Sequence, residues 1–557
     1  MSQAAAHGSL NRQQVEVHAL QRPHLMLAVI LLSVFMAVAN IFIVNVATPS
    51  IQQGLHADFF GVQFVISAYT LSYAIALIIG GRLGDRFGRR NMLLAGVAGF
   101  TVSSLLCGLS TGVGMLAVIR VVQGLSAAMI SPQILSLIQA QYAPEKRGRI
   151  FGLYGAAQGI AASTGQLIGG LLLYWNPWNL EWRMVFFFSV PIGLALLGMI
   201  PFIADSKEKV QSKLDWFGAS LVAAGLLLLV YPLVQGQKEG WPVILIISLF
   251  LSIPVLALFG WVQQTILRRN GDPFMNVNLF KQRGFSIGMA VVFLLMSSQA
   301  SFFLISAYLF QIGLGFSPLK AGAVILPMGM GYFLASLLSS RVASRIGPHV
   351  LSLGSALTAG GYLFLALTVQ GSGLSPNIAT WLPALTILGL GQGFIAAPLT
   401  NVVLSKVNRQ DIGSASGILT TGMQVAYAIG IALIGIVWLN SLSHNADKAG
   451  AQTEAQLRQQ TAVYAPLSAE QSEAALSRFR VCYPEFVSTR ASVSAGCTDL
   501  ASFSPEAKKL FADGVRQATT RSYMAAFVFC LYVLAVYTVL LLPLSLILAR
   551  KTRPARQ

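Results

Sequence analysis

The chain has 557 residues, of which 55% are hydrophobic and only 10% are charged. Soluble globular proteins carry about 25% charged residues, so this composition excludes a soluble protein and indicates a polytopic membrane protein. The formal net charge of +18 would suggest a nucleic-acid partner in a soluble chain. We expect no nucleic acid here, because the basic residues are distributed according to membrane topology.

The first apolar stretch begins at residue 25, after a polar tail of residues 1–24. It contains Ala37-Val38-Ala39, a pattern like a signal-peptide cleavage site. The apolar run nevertheless continues to Pro49, which is too long for the core of a signal peptide. We therefore predict that this stretch is a retained first helix.

Fourteen apolar segments are long enough to cross a bilayer, which requires about 20 residues. An even number places both termini on one side of the membrane. The segments on that side carry 24 Lys and Arg residues, against three in the short loops of the other side, so the positive-inside rule makes it the cytoplasm. We predict an all-α, multi-pass protein of the bacterial inner membrane with cytoplasmic termini, the second tail being residues 550–557. The predicted spans are residues 25–46, 60–80, 92–111, 113–138, 150–173, 184–204, 216–234, 242–262, 285–310, 320–340, 350–369, 380–404, 414–438 and 523–549.

Two motifs occur twice in the sequence. QGLSAA at residues 123–128 returns as QGFIAA at 392–397, and GRLGDRFG at 81–88 returns as SRVASRIG at 340–347. Both repeats align the first six spans with the last six, which predicts a 6+2+6 arrangement. A six-helix half (25–204) would be followed by a two-helix insert with cytoplasmic linkers (205–284) and a second half (285–549). Internal repeats of this kind are typical of secondary transporters.

The segment GGRLGDRFGRRN, residues 80–91, concentrates charge in the predicted cytoplasmic loop between the second and third spans. Its glycines allow a tight turn, and its aspartate can accept from a helix N-terminus or pair with an arginine. The segment is either a positive-inside anchor or a latch that closes in one state and breaks in another, and the fixed spacing favours the latch. The residues of such a latch would be Gly81, Gly84, Asp85, Arg86, Gly88, Arg89 and Arg90.

This spacing resembles the signature loop of the major facilitator superfamily at every defining position. The fourteen spans, the two-helix insert and the long outer loop before the last span resemble its fourteen-spanner drug/proton antiporter family. The stretches NVATPSI, RVVQG and APEKRGR are also similar to that family. The resemblance implies proton-driven export of small amphipathic compounds by alternating access, with the proton gradient as energy source, no cofactor and a monomeric transporter.

Apart from Lys320 at the first position of the tenth span, Arg120 is the only charged residue inside any predicted span, and such residues are costly and usually functional. With Gln123 and Gly124 it resembles the fourth-helix motif of the family, which implies a proton relay or a cavity charge. The alternative is a structural arginine bound to backbone carbonyl groups. In the fifth helix, small residues suited to close packing form a stripe. Its Gly165-Gln166-x-x-Gly169-Gly170 is similar to the antiporter motif of the family, but the proline of that motif is replaced by glutamine.

No carboxylate lies within the predicted spans, and Asn40 is near the position where the family commonly has an aspartate. Three explanations remain for proton coupling. Rim carboxylates such as Asp58 or Glu181 bind the proton, or Asp85 and Arg120 suffice for coupling, or coupling is weak or different. A cavity without acid disfavours dicationic substrates, so we expect neutral, zwitterionic or anionic ones. The side chains expected to line this cavity are Asn40, Asn45, Tyr69, Tyr73, Gln123, Gln158, Gln166, Gln299, Gln392, Asn401 and Gln424.

The predicted outer loop, residues 439–522, is either a mobile tether or a folded cap over the outer gate that a partner, such as an envelope accessory protein, could contact. Its Cys482 and Cys497 are expected to pair if the loop faces an oxidising compartment. Membrane lipid is the other expected partner, attracted to the basic inner face.

Two other functions remain open at this point. One is a same-fold importer of a nutrient or siderophore-like compound, and the other is a non-transporting scaffold or sensor. The sequence contains no HExxH motif, no Walker loop and no cluster of His and Cys ligands. We therefore expect neither an enzyme nor a metal site.

Overall fold

The computed structural model describes residues 23–57, 59–204, 215–269, 271, 273, 275–374, 376–405, 407, 412–459, 467–487, 497 and 503–551. These residues form an all-α structure, and no strand occurs among them. Apolar spans fold as helices because only a helix satisfies its own backbone hydrogen bonds where water is absent.

The first half of the chain forms a bundle whose helices are joined by short turns. Pro132 lies at the start of the helix Ser131–Gln141, and the break before this helix divides the fourth predicted span in two. The helices of this half are α1 (Pro23–Gly54), α2 (Phe59–Phe87), α3 (Arg89–Gly108), α4 (Val113–Ala128), α5 (Ser131–Gln141), α6 (Pro144–Trp175), α7 (Met184–Phe187) and α8 (Ser189–Met199).

The remaining helices fall in the ranges predicted for the insert and the second half, a division that stays a prediction. The insert is the helix pair α9 (Trp216–Glu239) and α10 (Val243–Arg268), which pack on each other. The second half contains α11 (Arg283–Tyr308), α12 (Pro318–Ile346), α13 (Val350–Gln370), α14 (Leu382–Ser405), α15 (Ile412–Gln459), α16 (Ala469–Val487), α17 (Pro505–Val539) and α18 (Leu541–Lys551).

Two predicted loops are largely helical. The signature segment continues α2 as far as Phe87, and the predicted outer loop begins inside α15 and ends inside α17. The signature segment was predicted as a loop and is helical up to Phe87, because charged residues end an apolar span without ending the helix. In the outer loop, the stretches TEAQLRQQ and SAEQSEAALSRF have the pattern of short amphipathic helices, and helices cover residues 453–459 of the first and 469–479 of the second. A mainly polar helix persists where i,i+4 pairs and packing support it.

The two halves meet along two pairs of helices. On one side of the bundle α6 packs along α12, and on the other α2 packs along α15. One apolar cluster joins both halves at the end that carries the signature segment, and a second joins α1 and α6 to the second half at the opposite end. In the second cluster, the rings of Phe42 and Phe303 lie 4.7 Å apart.

Eleven helical stretches among the described residues are long and apolar enough to cross a membrane, and several of them contain two predicted spans or one span with its polar extension. The chain is therefore a multi-pass membrane protein. The count of fourteen crossings and its 6+2+6 division stay predictions.

Candidate functional site: two buried polar networks and the signature turn

The signature segment is a helix–turn–helix in which a single residue makes the turn. Gly88 has φ of 95°, a conformation that residues with a Cβ rarely adopt, and α3 begins at the next residue. Gly84 serves a different purpose, because a Cβ there would lie 1.9 Å from Oε1 of Gln133 on α5. Gly81 lies in the last turns of α2. One of the three glycines therefore supplies the turn, and another allows α5 to approach α2.

The signature arginines bind backbone carbonyl groups of neighbouring segments. Arg89 is 2% exposed and donates to the carbonyl of Ser136 at 3.3 Å. Arg90 lies 3.5 Å from the carbonyls of Pro201 and Ile203, just after α8, and Arg82 donates to the carbonyl of Pro273 in the linker after the insert. Exposed Arg86 lies over the ring of Phe87.

These contacts connect the signature segment to α5, to the residues just after α8 and to the linker that follows the insert. They lie within the first half and its linker, so the latch between alternating states stays a prediction. The side chain of Asp85 lies outside what the structure describes, as do residue Asp58 and the side chain of Asn45.

Arg120 lies at the centre of a buried polar network in the first half. Its Nη1 donates to Asn40 Oδ1 at 2.9 Å and to Gln123 Oε1 at 2.6 Å. Gln123 in turn donates to Ser104 Oγ at 2.7 Å, and Nδ2 of Asn40 lies 3.5 Å from Ser189 Oγ. The network thereby connects α1, α3, α4 and α8. Its charged member is 1% exposed, and Asn40 and Gln123 are fully buried.

The guanidinium of Arg120 is surrounded by neutral groups. It lies 4.2 Å from the ring centroid of Tyr69 and 5.9 Å from that of Phe186, and its Nε is 3.5 Å from the carbonyl of Val65. No carboxylate of the described residues is among its ion pairs or hydrogen bonds. Ring faces and carbonyl dipoles solvate the cation without cancelling its charge. The first half therefore contains a positive centre in a medium of low dielectric constant.

The observed contacts of Arg120 partly support each of its two predicted roles. It makes a contact with a backbone carbonyl, as a structural arginine would, but its shortest bonds go to amide side chains on two helices. It lies in the packed interior of the half, whereas the sequence led us to expect a cavity position as one alternative. The proton relay stays untested.

Gly124 permits the approach of α4 to α2 next to this network. A Cβ at this position would lie 2.1 Å from Ser72 Oγ and 2.4 Å from the carbonyl oxygen of Tyr69. Tyr69 and Tyr73, predicted cavity residues on α2, are also buried, with ring centroids 5.7 Å apart. Tyr73 forms a hydrogen bond with Ser131.

The small residues of α6 face two different partners. Near its start, Gly152 and Gly159 approach Ser336 and Tyr332 of α12, in the other half. Further along, Gly165 and Gly169 approach Ala39, Phe42 and Ile43 of α1. Gln166 and Gly170 are also buried. The stripe therefore serves close helix packing, and the antiporter role of its second part stays a prediction.

A second polar network occupies the other half. Gln299 Nε2 donates to Gln392 Oε1 at 3.1 Å, and Gln392 Nε2 lies 3.3 Å from the hydroxyl of Tyr362. Tyr427 donates its hydroxyl to Gln299 Oε1 at 2.6 Å. The four side chains lie on α11, α13, α14 and α15. Gln392 thus has the position of Gln123 in the repeated motif and a comparable role, since the side-chain amide of each donates to a hydroxyl group on the third helix of its half, Ser104 on α3 and Tyr362 on α13.

Sequence reasoning missed Tyr362, Tyr427, Ser104 and Ser189. Each lies in an apolar span, where single hydroxyl groups are common and give no signal. The repeat could have pointed to Gln392 together with its neighbours. Gln424, predicted for the cavity, is half-buried, and Glu181 is exposed beside the end of α1, where a Cβ on Gly54 would lie 3.5 Å from its Oε2.

The described part of the predicted outer loop is a folded unit. Cys482 of α16 is bonded to Cys497, and Arg458 of α15 binds Glu454 at 2.9 Å and Glu473 of α16 at 2.7 Å. The hydrogen bonds from Arg458 hold the pKa of the Glu473 carboxyl below its ordinary value. Leu457, Leu476 and Leu510 pack together beneath these groups. These contacts favour the cap over the mobile tether.

Comparison with known sequences matches the profile of the Major Facilitator Superfamily to residues 30–431. The chain belongs to this superfamily. It is 31% identical over 536 residues to the probable actinorhodin transporter of Streptomyces coelicolor, covering 95% of this chain and 91% of that protein. It is 32% identical to the tetracenomycin C resistance and export protein of Streptomyces glaucescens, covering 75% and 76%, and 33% identical to the puromycin resistance protein of Streptomyces alboniger, covering 74% and 81%.

Among solved structures, the chain resembles the human organic anion transporter MFSD10 (TETRAN). The TM-score is 0.52 at 13% identity, and the match covers 92% of this chain and 100% of the other. At this identity the likeness concerns the fold alone. Family and fold confirm the prediction of a major-facilitator-type, all-α membrane transporter.

Proposed function

We propose that this transporter exports small amphipathic compounds from the cell by alternating access, driven by proton antiport. Relatives over most of the chain are named for antibiotic export and resistance. The geometry supports one substrate class, in which neutral, zwitterionic or anionic compounds are preferred to dications. The protein would act as a monomer in the bacterial inner membrane, with both termini in the cytoplasm.

The observation that carries the substrate class is the buried cation of Arg120. All of its described hydrogen-bond acceptors are neutral, so the field of the guanidinium is not cancelled locally. A dicationic compound entering the adjacent bundle would meet this field without a compensating carboxylate. The guanidinium would attract an anion and would have no net Coulomb interaction with a neutral compound.

Proton coupling has to use groups outside this network, because its acceptors are amides and a carbonyl. Glu181 is the described candidate, exposed at the rim beside Trp182. Asp85, in the last turn of α2 within the signature segment, is the second candidate. The proposal assigns proton binding to these carboxylates, with the proton gradient as the energy source and no cofactor.

Export is tested by growth of an efflux-deficient bacterium that expresses the wild type, Asp85→Asn or Arg120→Gln. The panel should contain cationic, neutral and anionic toxic amphiphiles, and membrane levels of each variant should be measured. We expect the wild type to protect against neutral and anionic compounds and Asp85→Asn to lose that protection. Greater sensitivity of cells with the wild type would contradict export and favour the same-fold importer.

A further inference from the structure

A large groove lies at the outer end of the second half, apart from both buried networks. It has a volume of about 900 Å³ and lies between the end of α13, the middle of α15 and the upper part of α17. Ligand sites of proteins usually have volumes of about 300–1,000 Å³, so this groove is large enough for a drug-sized or lipid-sized guest.

The groove has a polar end and an apolar end. Arg521, His444 and Gln452 lie at the outer end, where α15 and α17 extend beyond the predicted spans. Val528 and Phe529 lie further down α17, about 12 Å from Arg521 at the rise of an α-helix. Tyr532, one turn beyond Val528 and Phe529 on α17, donates its hydroxyl to Gln370 Oε1 at 2.6 Å and closes one wall.

The charges that line the groove are of one sign. Arg521 is half-buried and donates from Nη2 to Gln456, and among the described residues its buried Nε has no hydrogen-bond partner. Exposed His444 is the other basic group, and the lining contains neither Asp nor Glu. A guanidinium in a wall without acid is suited to an anionic head group.

The apolar end continues as a face that points away from the bundle. Phe529 is 52% exposed, Val536 is 72% exposed and Val539 is 50% exposed, at helical spacing along α17. An exposed apolar helix face within a membrane span contacts lipid chains. The groove therefore opens from the outer leaflet and not from the seam between the two halves.

We propose that this groove binds an anionic phospholipid of the outer leaflet. Its phosphate lies against Arg521 and His444, and one acyl chain follows Val528 and Phe529 along α17. A lipid fits better than the exported compound, because the opening faces lipid and lies outside both buried networks. The proposal does not depend on the direction of transport.

The test measures lipid binding to purified protein by native mass spectrometry, with phosphatidylglycerol and phosphatidylcholine as probes. The variants are Arg521→Gln, which removes the charge, and Ala525→Trp, which fills the groove without changing charge. Arg516→Gln is the matched control, because Arg516 lies on the same helix, exposed and 4.0 Å from Asp513, outside the groove. Thermal melting of each variant verifies folding.

We expect the wild type and Arg516→Gln to bind phosphatidylglycerol in preference to phosphatidylcholine. Arg521→Gln should weaken phosphatidylglycerol binding about tenfold, the loss expected for one charge-assisted hydrogen bond, and Ala525→Trp should weaken binding of both lipids. Equal binding of both lipids to the wild type would overturn the proposal. Wild-type affinity in folded Arg521→Gln would also overturn it, as would displacement by an exported amphiphile with no binding of either lipid.

Discussion

Replacing Asn40 by Asp would place a carboxylate directly against the Arg120 guanidinium. The two side chains already touch, with 2.9 Å between Arg120 Nη1 and Asn40 Oδ1, and Asp has the size and shape of Asn. The other oxygen of the carboxylate would face Ser189, whose hydroxyl can donate to it. The substitution therefore cancels the buried charge while the packing around it is retained.

The size of the effect follows from Coulomb's law. At an effective dielectric constant of about 20, Arg120 repels a unit cation about 10 Å away by about 1.7 kcal/mol. Cancelling the charge removes this repulsion, which corresponds to a factor of roughly 15 to 20 in the transport rate of the cation. An anion at the same distance loses an attraction of the same size, so we expect the ratio of cationic to anionic transport in Asn40→Asp to rise by the square of this factor, roughly 200- to 400-fold. A dication should gain more than a monocation.

The assay compares initial efflux rates of paired cationic and anionic fluorescent amphiphiles from proteoliposomes. Arg120→Gln should shift the ratio in the same direction, because it also removes one positive charge. Asn40→Ala is the matched control, since it removes the hydrogen bond but keeps the charge, and it should leave the ratio near the wild-type value. An unchanged ratio in Asn40→Asp would refute the argument, and so would an equal shift in Asn40→Ala.

Three further predictions concern packing and the outer cap. Gly124→Leu should greatly lower the amount of folded protein and its melting temperature in detergent. A Cβ added here would lie 2.4 Å from a backbone oxygen, and overpacking a core costs about 1–3 kcal/mol or more. Gly114→Leu on the same helix has open space and should melt near the wild-type temperature. Cys497→Ser should increase amide exchange in α16 while transport is retained, since the lost cross-link spans 15 residues and is worth about 3 kcal/mol to the cap; unchanged exchange would contradict this role. Because the pKa of Glu473 is lowered, its contribution to the cap is present above the ordinary Glu pKa and lost as pH falls through the folded value. Protection factors of the α16 amides, which correct for the intrinsic pH dependence of exchange, should therefore fall at acid pH in the wild type and change less in Glu473→Gln.

The helical architecture was predictable because hydropathy measures what a bilayer requires. Each predicted span coincides with a helix or a pair of helices in the described residues. The ends of helices were less predictable. Charge marks where a span leaves the membrane, but α2 continues to Phe87 and α15 to Gln459, because a helix ends where its backbone hydrogen bonds end.

The candidate site was predictable in its members and not in its connections. Arg120 and Gln123 were evident as a charge and an amide in apolar sequence, and Asn40 as a departure from the family. The partners Ser104 and Ser189 were not, since pairing between distant helices depends on crossing geometry that no local pattern encodes. The same holds for Arg89, whose burial against the carbonyl of Ser136 contrasts with the exposed position usual for a basic residue beside a span.

The direction and energy source of transport are tested most directly with inside-out membrane vesicles that contain the wild-type protein. An inward-acidic proton gradient would be imposed, and uptake of a neutral or anionic amphiphile would be followed together with the internal pH. The account predicts uptake into the vesicles, accompanied by proton exit and abolished when the gradient is collapsed. Uptake only into right-side-out vesicles, or uptake without proton movement, would contradict it.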